Sequence, residues 1–178
     1  MTNALTTPPG LSPRHLALFV VRPTLSMMQG PDVPGLTSDA SVELLLGTIA
    51  QESGFRALDQ ITGPNDRTIG PAYGLYQIEP ATLDDLHENF LRFRPTLASR
   101  LAGLAASWPS PAMQLATNLA YATAVARLLY YRSPVRLANP GDIEGHARVW
   151  KQVYNTPKGK GRPEDFVANY RRLVAPYL

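Results

Sequence analysis

Glu52 stands on an apolar stripe, and a carboxylate in that position can do acid chemistry. In residues 39–53, DASVELLLGTIAQES, Val42, Leu45, Leu46 and Ile49 recur at the three-and-four spacing of one buried helix face. Glu52 continues the stripe, three residues after Ile49 and seven after Leu45. Hydrophobic neighbours and the negative end of the helix dipole both disfavour ionisation there, so its pKa rises. A carboxylic acid that keeps its proton near neutral pH can give it to a leaving oxygen, the first requirement of glycoside cleavage. The competing reading is a glutamate at a fraying helix end whose carboxylate reaches water. About twenty residues later comes a glycine-led segment with a polar tip, Gly74-Leu75-Tyr76-Gln77-Ile78.

Glu52-Ser53 followed by that segment resembles the signature of soluble lytic transglycosylase and goose-type lysozyme domains, Glu-Ser and then Gly-Leu-Met-Gln-Ile or -Val. Tyr76 stands at the position of the family's Met. Asn118, in LATNLAYATAVARLLYY, resembles the family's Asn-bearing helix, and Tyr154-Asn155 resembles its Ala-Tyr-Asn-Ala-Gly segment, with Thr156-Pro157 in place of Ala-Gly. The resemblance spans roughly residues 39–155 and rests mainly on the first two motifs. It implies a mostly α, α+β lysozyme-like fold and cleavage of the MurNAc-GlcNAc β-1,4 bond of peptidoglycan, with Glu52 as the single catalytic residue and no cofactor. It also implies substrate contacts from Ser53, Tyr73, Gly74, Tyr76, Gln77, Tyr154 and Asn155. Gly74 would let the backbone approach a sugar, and Gln77 would offer a donor and an acceptor to its hydroxyl or acetamido groups. Tyr73 and Tyr76 can stack on a pyranose ring or pack in the core. Tyr154 resembles the family tyrosine that hydrogen-bonds the catalytic glutamate.

Ordinary glycosidases use two carboxylates, an acid and either a nucleophile or a base. Asp59, Asp66 and Glu79 are the candidates for the second, Asp66 foremost, although Pro64-Asn65-Asp66 is also turn chemistry. A lytic transglycosylase needs none. The alternatives are a hydrolytic lysozyme of the same fold and a non-catalytic virion plug or adaptor that retains it.

At 178 residues the chain is long enough for one domain with one core. Seventeen prolines and thirteen glycines imply long ordered loops between short helices. The absence of cysteine excludes disulfides, thiol catalysis and Cys-ligated zinc. His15, His87 and His146 lie far apart and form no pair at metal-ligand spacing, so no metal is expected. The net charge is +3, with Lys151, Lys158, Lys160, Arg162, Arg171 and Arg172 all in the last thirty residues. Such a face suits an anionic polymer, and peptidoglycan with its acidic stem peptides is the expected partner. The string Lys158-Gly159-Lys160-Gly161-Arg162 is a weak phosphate-gripping signal, and nucleic acid is not the expected ligand. The apolar run at residues 16–21 is too short to span a bilayer and lacks a cleavage site. With no export signal visible, the resemblance implies delivery in a phage particle or through a holin-type lesion; the phage particle is the expected route, with other virion structural proteins as partners.

Residues 1–12 read as a Pro-rich arm and 13–178 as a single catalytic domain. Six or seven helices and one small β wing are expected. Ser12 caps a helix over 13–28, with Pro13 at its first position and Pro23 as a possible kink. After the Glu52 helix, residues 56–72 carry several breakers and no period, and read as a long loop or as a small two- or three-stranded wing with 72–78 as its last strand. Helices follow over 80–93, 97–106, 112–132 (the longest, placed centrally), 142–154 and 163–177. Trp150 is expected in the core, on the inner face of its helix.

Overall fold

Ser12 opens the first helix as expected, its Oγ accepting from the His15 amide at 3.4 Å with Pro13 at the next position. The computed structural model describes residues 10–60, 70–156 and 159–178. The expected Pro-rich arm and Asp66 therefore lie largely or wholly outside the described residues. Helix α1 (Pro13–Leu16) runs through a π-helical turn (Ala17–Val21) into α2 (Arg22–Met28). Pro23 has no N–H and its ring would crowd the preceding turn, and the helix answers by widening, with the Arg22 amide reaching back five residues to the Ala17 carbonyl.

Helix α3 (Asp39–Glu52) begins at a reciprocal capping box between Ser38 and Ser41. Its middle is buried on every side, from Leu44 to Ala50. Gly47 allows α9 (Pro163–Leu173) to lie against it, because a Cβ there would stand 2.2 Å from the Phe166 ring. Thr48 donates to the Leu44 carbonyl and shares a 2.8 Å hydrogen bond with the Tyr130 hydroxyl of α7 (Leu119–Tyr131). With α8 (Ile143–Val153) on a further side, α3 shares the centre with α7, the part of the expected 112–132 helix that is buried from Tyr121 to Tyr130.

That helix is in fact two, α6 (Pro111–Thr117) and α7, broken at Asn118. Asn118 leaves helical geometry at φ −120°, ψ 96°, and its Oδ1 caps α7 on the Tyr121 amide. Its Nδ2 donates to the Leu104 carbonyl and to Gln114 Oε1. The break raises the count to eight helices among the described residues, with α1 and α2 taken as one run and α4 (Pro80–Asn89) and α5 (Pro95–Ala102) completing the set. Short 3₁₀ turns follow α4 and α9. The fold is a mostly α single domain.

The expected β wing forms no sheet among the described residues, which leave out 61–69. Among the described residues only isolated bridges occur there, Asp59 with Tyr73 and Tyr73 with Ile78. Tyr73 and Ile78 exchange both backbone hydrogen bonds, at 3.0 and 3.1 Å, around a tight turn with positive φ at Gly74 and Gln77. Pro80 then starts α4, so the ladder has no room for a second pair. No helix among the described residues is long and apolar enough to cross a membrane.

Candidate active site

Glu52 is the last residue of α3, and the chain turns away from it at once. The Ser53 and Gly54 amides both return to the Ile49 carbonyl, and Gly54 and Phe55 take left-handed geometry at φ 57° and 65°. No atom would obstruct a Cβ at Gly54, so the conformation itself is what favours glycine there. Phe55 adopts the same region with its ring buried.

The Glu52 carboxylate is pinned from α8. Trp150 is buried, as expected, and its indole Nε1 donates to Glu52 Oε1 at 2.8 Å. A buried indole N–H needs an acceptor, and here the acceptor is the candidate acid. Burial pushes the Glu52 pKa up to about 7, and the Trp150 hydrogen bond restrains that rise by favouring the carboxylate. The acid is thus poised between its two protonation states near neutrality.

Glu52 opens into a cleft of about 810 Å³ whose walls include Gln51, Gln77, Glu79, Tyr154, Asn155 and Lys160. A second cavity of about 240 Å³ shares Gln77, Glu79 and Tyr154 with it and is lined further by Thr82, Arg132 and Thr156, so the two adjoin as parts of one groove. Among the described residues the three non-glycine positions with positive φ are Phe55, Gln77 and Thr156; two line this groove and the third adjoins it. Backbone strain of this kind gathers where a site must be held in one shape.

Of the expected site residues, Glu52, Ser53, Gln77, Tyr154 and Asn155 meet at the cleft, whereas Tyr73, Gly74 and Tyr76 do not line it. Ser53 spends its hydroxyl on the Ile49 carbonyl at 3.2 Å. Gln77 Nε2 donates to the Gly74 carbonyl at 2.8 Å, and among the described residues its amide oxygen is left as an unengaged acceptor. Gly74 meets α6 rather than a ligand, since a Cβ there would stand 1.8 Å from the Leu115 carbonyl oxygen. Tyr76 is not free to stack on a sugar: it is 1% exposed, and its hydroxyl pairs with Thr123 Oγ1 at 3.1 Å.

The role expected of Tyr154 also changes. Its hydroxyl donates to the Tyr76 carbonyl at 2.8 Å and its ring stacks on Tyr130, so it braces the 74–77 turn rather than the acid. Trp150, one helical turn before it on α8, takes the place beside Glu52. That i, i+4 relation was the available signal, because it sets both rings on one face of α8. Asn169 is a further residue that sequence reasoning missed, its Nδ2 donating to Gln51 Oε1 at 2.9 Å beside the acid.

Among the candidate second carboxylates, Asp59 is engaged by the Gly70 and Gln60 amides at 2.7 and 2.9 Å and does not line the cleft. Glu79 is exposed and lines both parts of the groove. His15 and His87 are exposed, and His146 is buried with Nε2 on Glu43 at 3.0 Å. Among the described residues no cluster of His, Asp and Glu could hold a metal ion.

Set against protein-family models, curated proteins and solved structures, the chain matches none of them.

Proposed function

We propose that the chain is a peptidoglycan lytic transglycosylase of lysozyme-like fold, in which Glu52 is the single catalytic acid and base. The observation that carries this reading is a carboxyl group with its pKa near 7, anchored by Trp150 and lining a cleft of about 810 Å³. Its walls, with Gln51, Gln77, Asn155 and Lys160, offer the amide and ammonium groups that hydrogen-bond sugars. Glu52 gives its proton to the oxygen bridging N-acetylmuramic acid and N-acetylglucosamine, and the C1–O bond breaks. The muramic 6-hydroxyl then attacks C1 while the Glu52 carboxylate takes the hydroxyl proton. A 1,6-anhydro ring forms, no water is consumed, and Glu52 ends protonated as it began. A pKa near the working pH serves both steps.

Glu79 supports a second reading. An exposed carboxylate on the same groove can activate water, which would make the reaction a hydrolysis. Mass spectrometry of digested wall strands distinguishes the two, since transglycosylation yields anhydro-muramic ends and hydrolysis yields reducing ends one water heavier. Hydrolytic products that vanish with Glu79→Gln would overturn the single-carboxylate mechanism, and intact strands would overturn the enzymatic reading altogether in favour of a structural virion component. Delivery in a phage particle remains part of the proposal through the family resemblance, and antibody detection of the chain in purified virions tests it.

A further inference from the structure

The described part of the basic string, residues 159–162, runs beside the Glu52 cleft, which Gly159 and Lys160 line. A Cβ on Gly159 would stand 2.2 Å from the Asn155 carbonyl oxygen, and one on Gly161 would stand 2.5 Å from the Trp150 ring. Only glycine allows the backbone to lie this close to α8. Lys151 fastens the approach, its Nζ donating to both Asn155 Oδ1 and the Gly159 carbonyl at 2.7 Å. Lys160, between the two glycines, is thereby set on the wall of the cleft.

Arg172 of α9 lines the same cleft, and its Nη2 is steadied by Asn169 Oδ1 at 2.7 Å. Asn169 in turn holds Gln51, next to the acid. Neither cation is neutralised: among the described residues Lys160 has no ion-pair partner, and the partner of Arg172 is a neutral amide. The neighbouring cations are occupied elsewhere, Arg162 with Asp165 and Arg171 with Glu144. The carboxylates lining the cleft are Glu52, turned toward Trp150, and Glu79.

We propose that Lys160 and Arg172 bind a carboxylate of the substrate, so that the cleft selects anionic glycan strands over neutral ones. This inference rests on the reading of the chain as a peptidoglycan-cleaving enzyme. Two sources carry that chemistry in the wall, the carboxylates of the stem peptides and the lactyl carboxylate that muramic acid exposes when the peptide is absent. Two unpaired cations beside a cleft raise the association rate and the affinity of an anionic ligand, and both effects weaken with salt.

The test uses the full chain carrying Glu52→Gln, which binds without cleaving, and three soluble strand preparations. One retains its stem peptides, one has lost them to an amidase and keeps the lactyl carboxylates, and one retains peptides with every carboxylate converted to the amide. Affinity for the amidated strands is expected to be roughly tenfold weaker than for the first preparation. Adding Lys160→Glu or Arg172→Gln should lower affinity for carboxylated strands by about five- to tenfold and leave affinity for amidated strands nearly unmoved. Arg136→Glu, which changes net charge as much as Lys160→Glu but does not line the cleft, should have little effect. Loss of affinity after amidase treatment assigns the stem peptides, and its retention assigns the lactyl group. Equal binding of all three preparations, or an Arg136→Glu effect as large as that of Lys160→Glu, overturns the inference. If the parent chain still cleaves strands in that event, the proposed function stands without it; if it neither binds nor cleaves any strand, both fall.

Discussion

Glu52→Gln separates the chemistry of the acid from its electrostatic cost. Burial lifts the folded-state pKa from 4.5 to about 7, whereas the unfolded chain releases the proton near 4.5. Between those values the native state binds more protons, so the stability tied to this group is fully present below about pH 4.5 and is lost as pH rises through about 7. Each unit is worth about 1.4 kcal/mol, so the native protein gives up about 3 kcal/mol across this window. Glutamine has the same shape, its oxygen can accept from Trp150, and it carries no charge at any pH. The variant should therefore match the parent near pH 4 and exceed it by about 3 kcal/mol at pH 8, roughly a 10 °C difference in Tm for a domain of this size. Urea titrations at one-unit intervals from pH 4 to 8 measure the difference directly, and turbidity loss of purified walls should show the same variant inactive. A stability difference that stays constant across the series would refute the buried-acid argument, and wild-type turnover would refute the site.

Trp150→Phe removes the donor that favours the Glu52 carboxylate, so the acid's pKa should climb above about 7 and the alkaline limb of the pH–rate profile should move up with it. The smaller ring should also cost about 2 kcal/mol in a denaturant titration. Tyr154→Phe loses the hydrogen bond to the Tyr76 carbonyl and should cost about 1 kcal/mol, with the alkaline limb unmoved; a shifted limb would place that hydroxyl on the acid after all. Gly74→Ala combines a left-handed φ of 74° with a Cβ 1.8 Å from the Leu115 carbonyl oxygen, and the protein should lose more than about 2 kcal/mol or fail to accumulate. Asn118→Ala removes the α7 cap and a ligand of the Leu104 carbonyl, with an expected loss of about 1–2 kcal/mol in the same assay.

Local chemistry was readable along the chain because its causes lie within a few residues. Ser12 before Pro13, the apolar stripe from Val42 to Ile49 and the negative first turn at Glu164 and Asp165 each specify a helix start or face through neighbours in sequence, and the helices form there. The same stripe was enough to mark Glu52 as a carboxyl group that burial would hold protonated. Partners distant in sequence were not readable. Trp150, 98 residues from Glu52, supplies its hydrogen bond, while the tyrosine one turn further along α8 reaches a main-chain carbonyl 78 residues away. Periodicity carries no account of which of two rings on one helix face meets a given residue of another helix, because the height at which α8 crosses α3 decides it. Asn118 reads as the interior of a long helix until the Leu104 carbonyl arrives beside it, and Gly74 reads as room for a ligand until α6 takes up that room. The glycines flanking Lys160 read only as part of a weak phosphate-gripping string, yet contact with Asn155 and Trp150 makes them the reason a cation stands at the cleft, since backbone can approach a packed helix that closely only where no side chain intervenes.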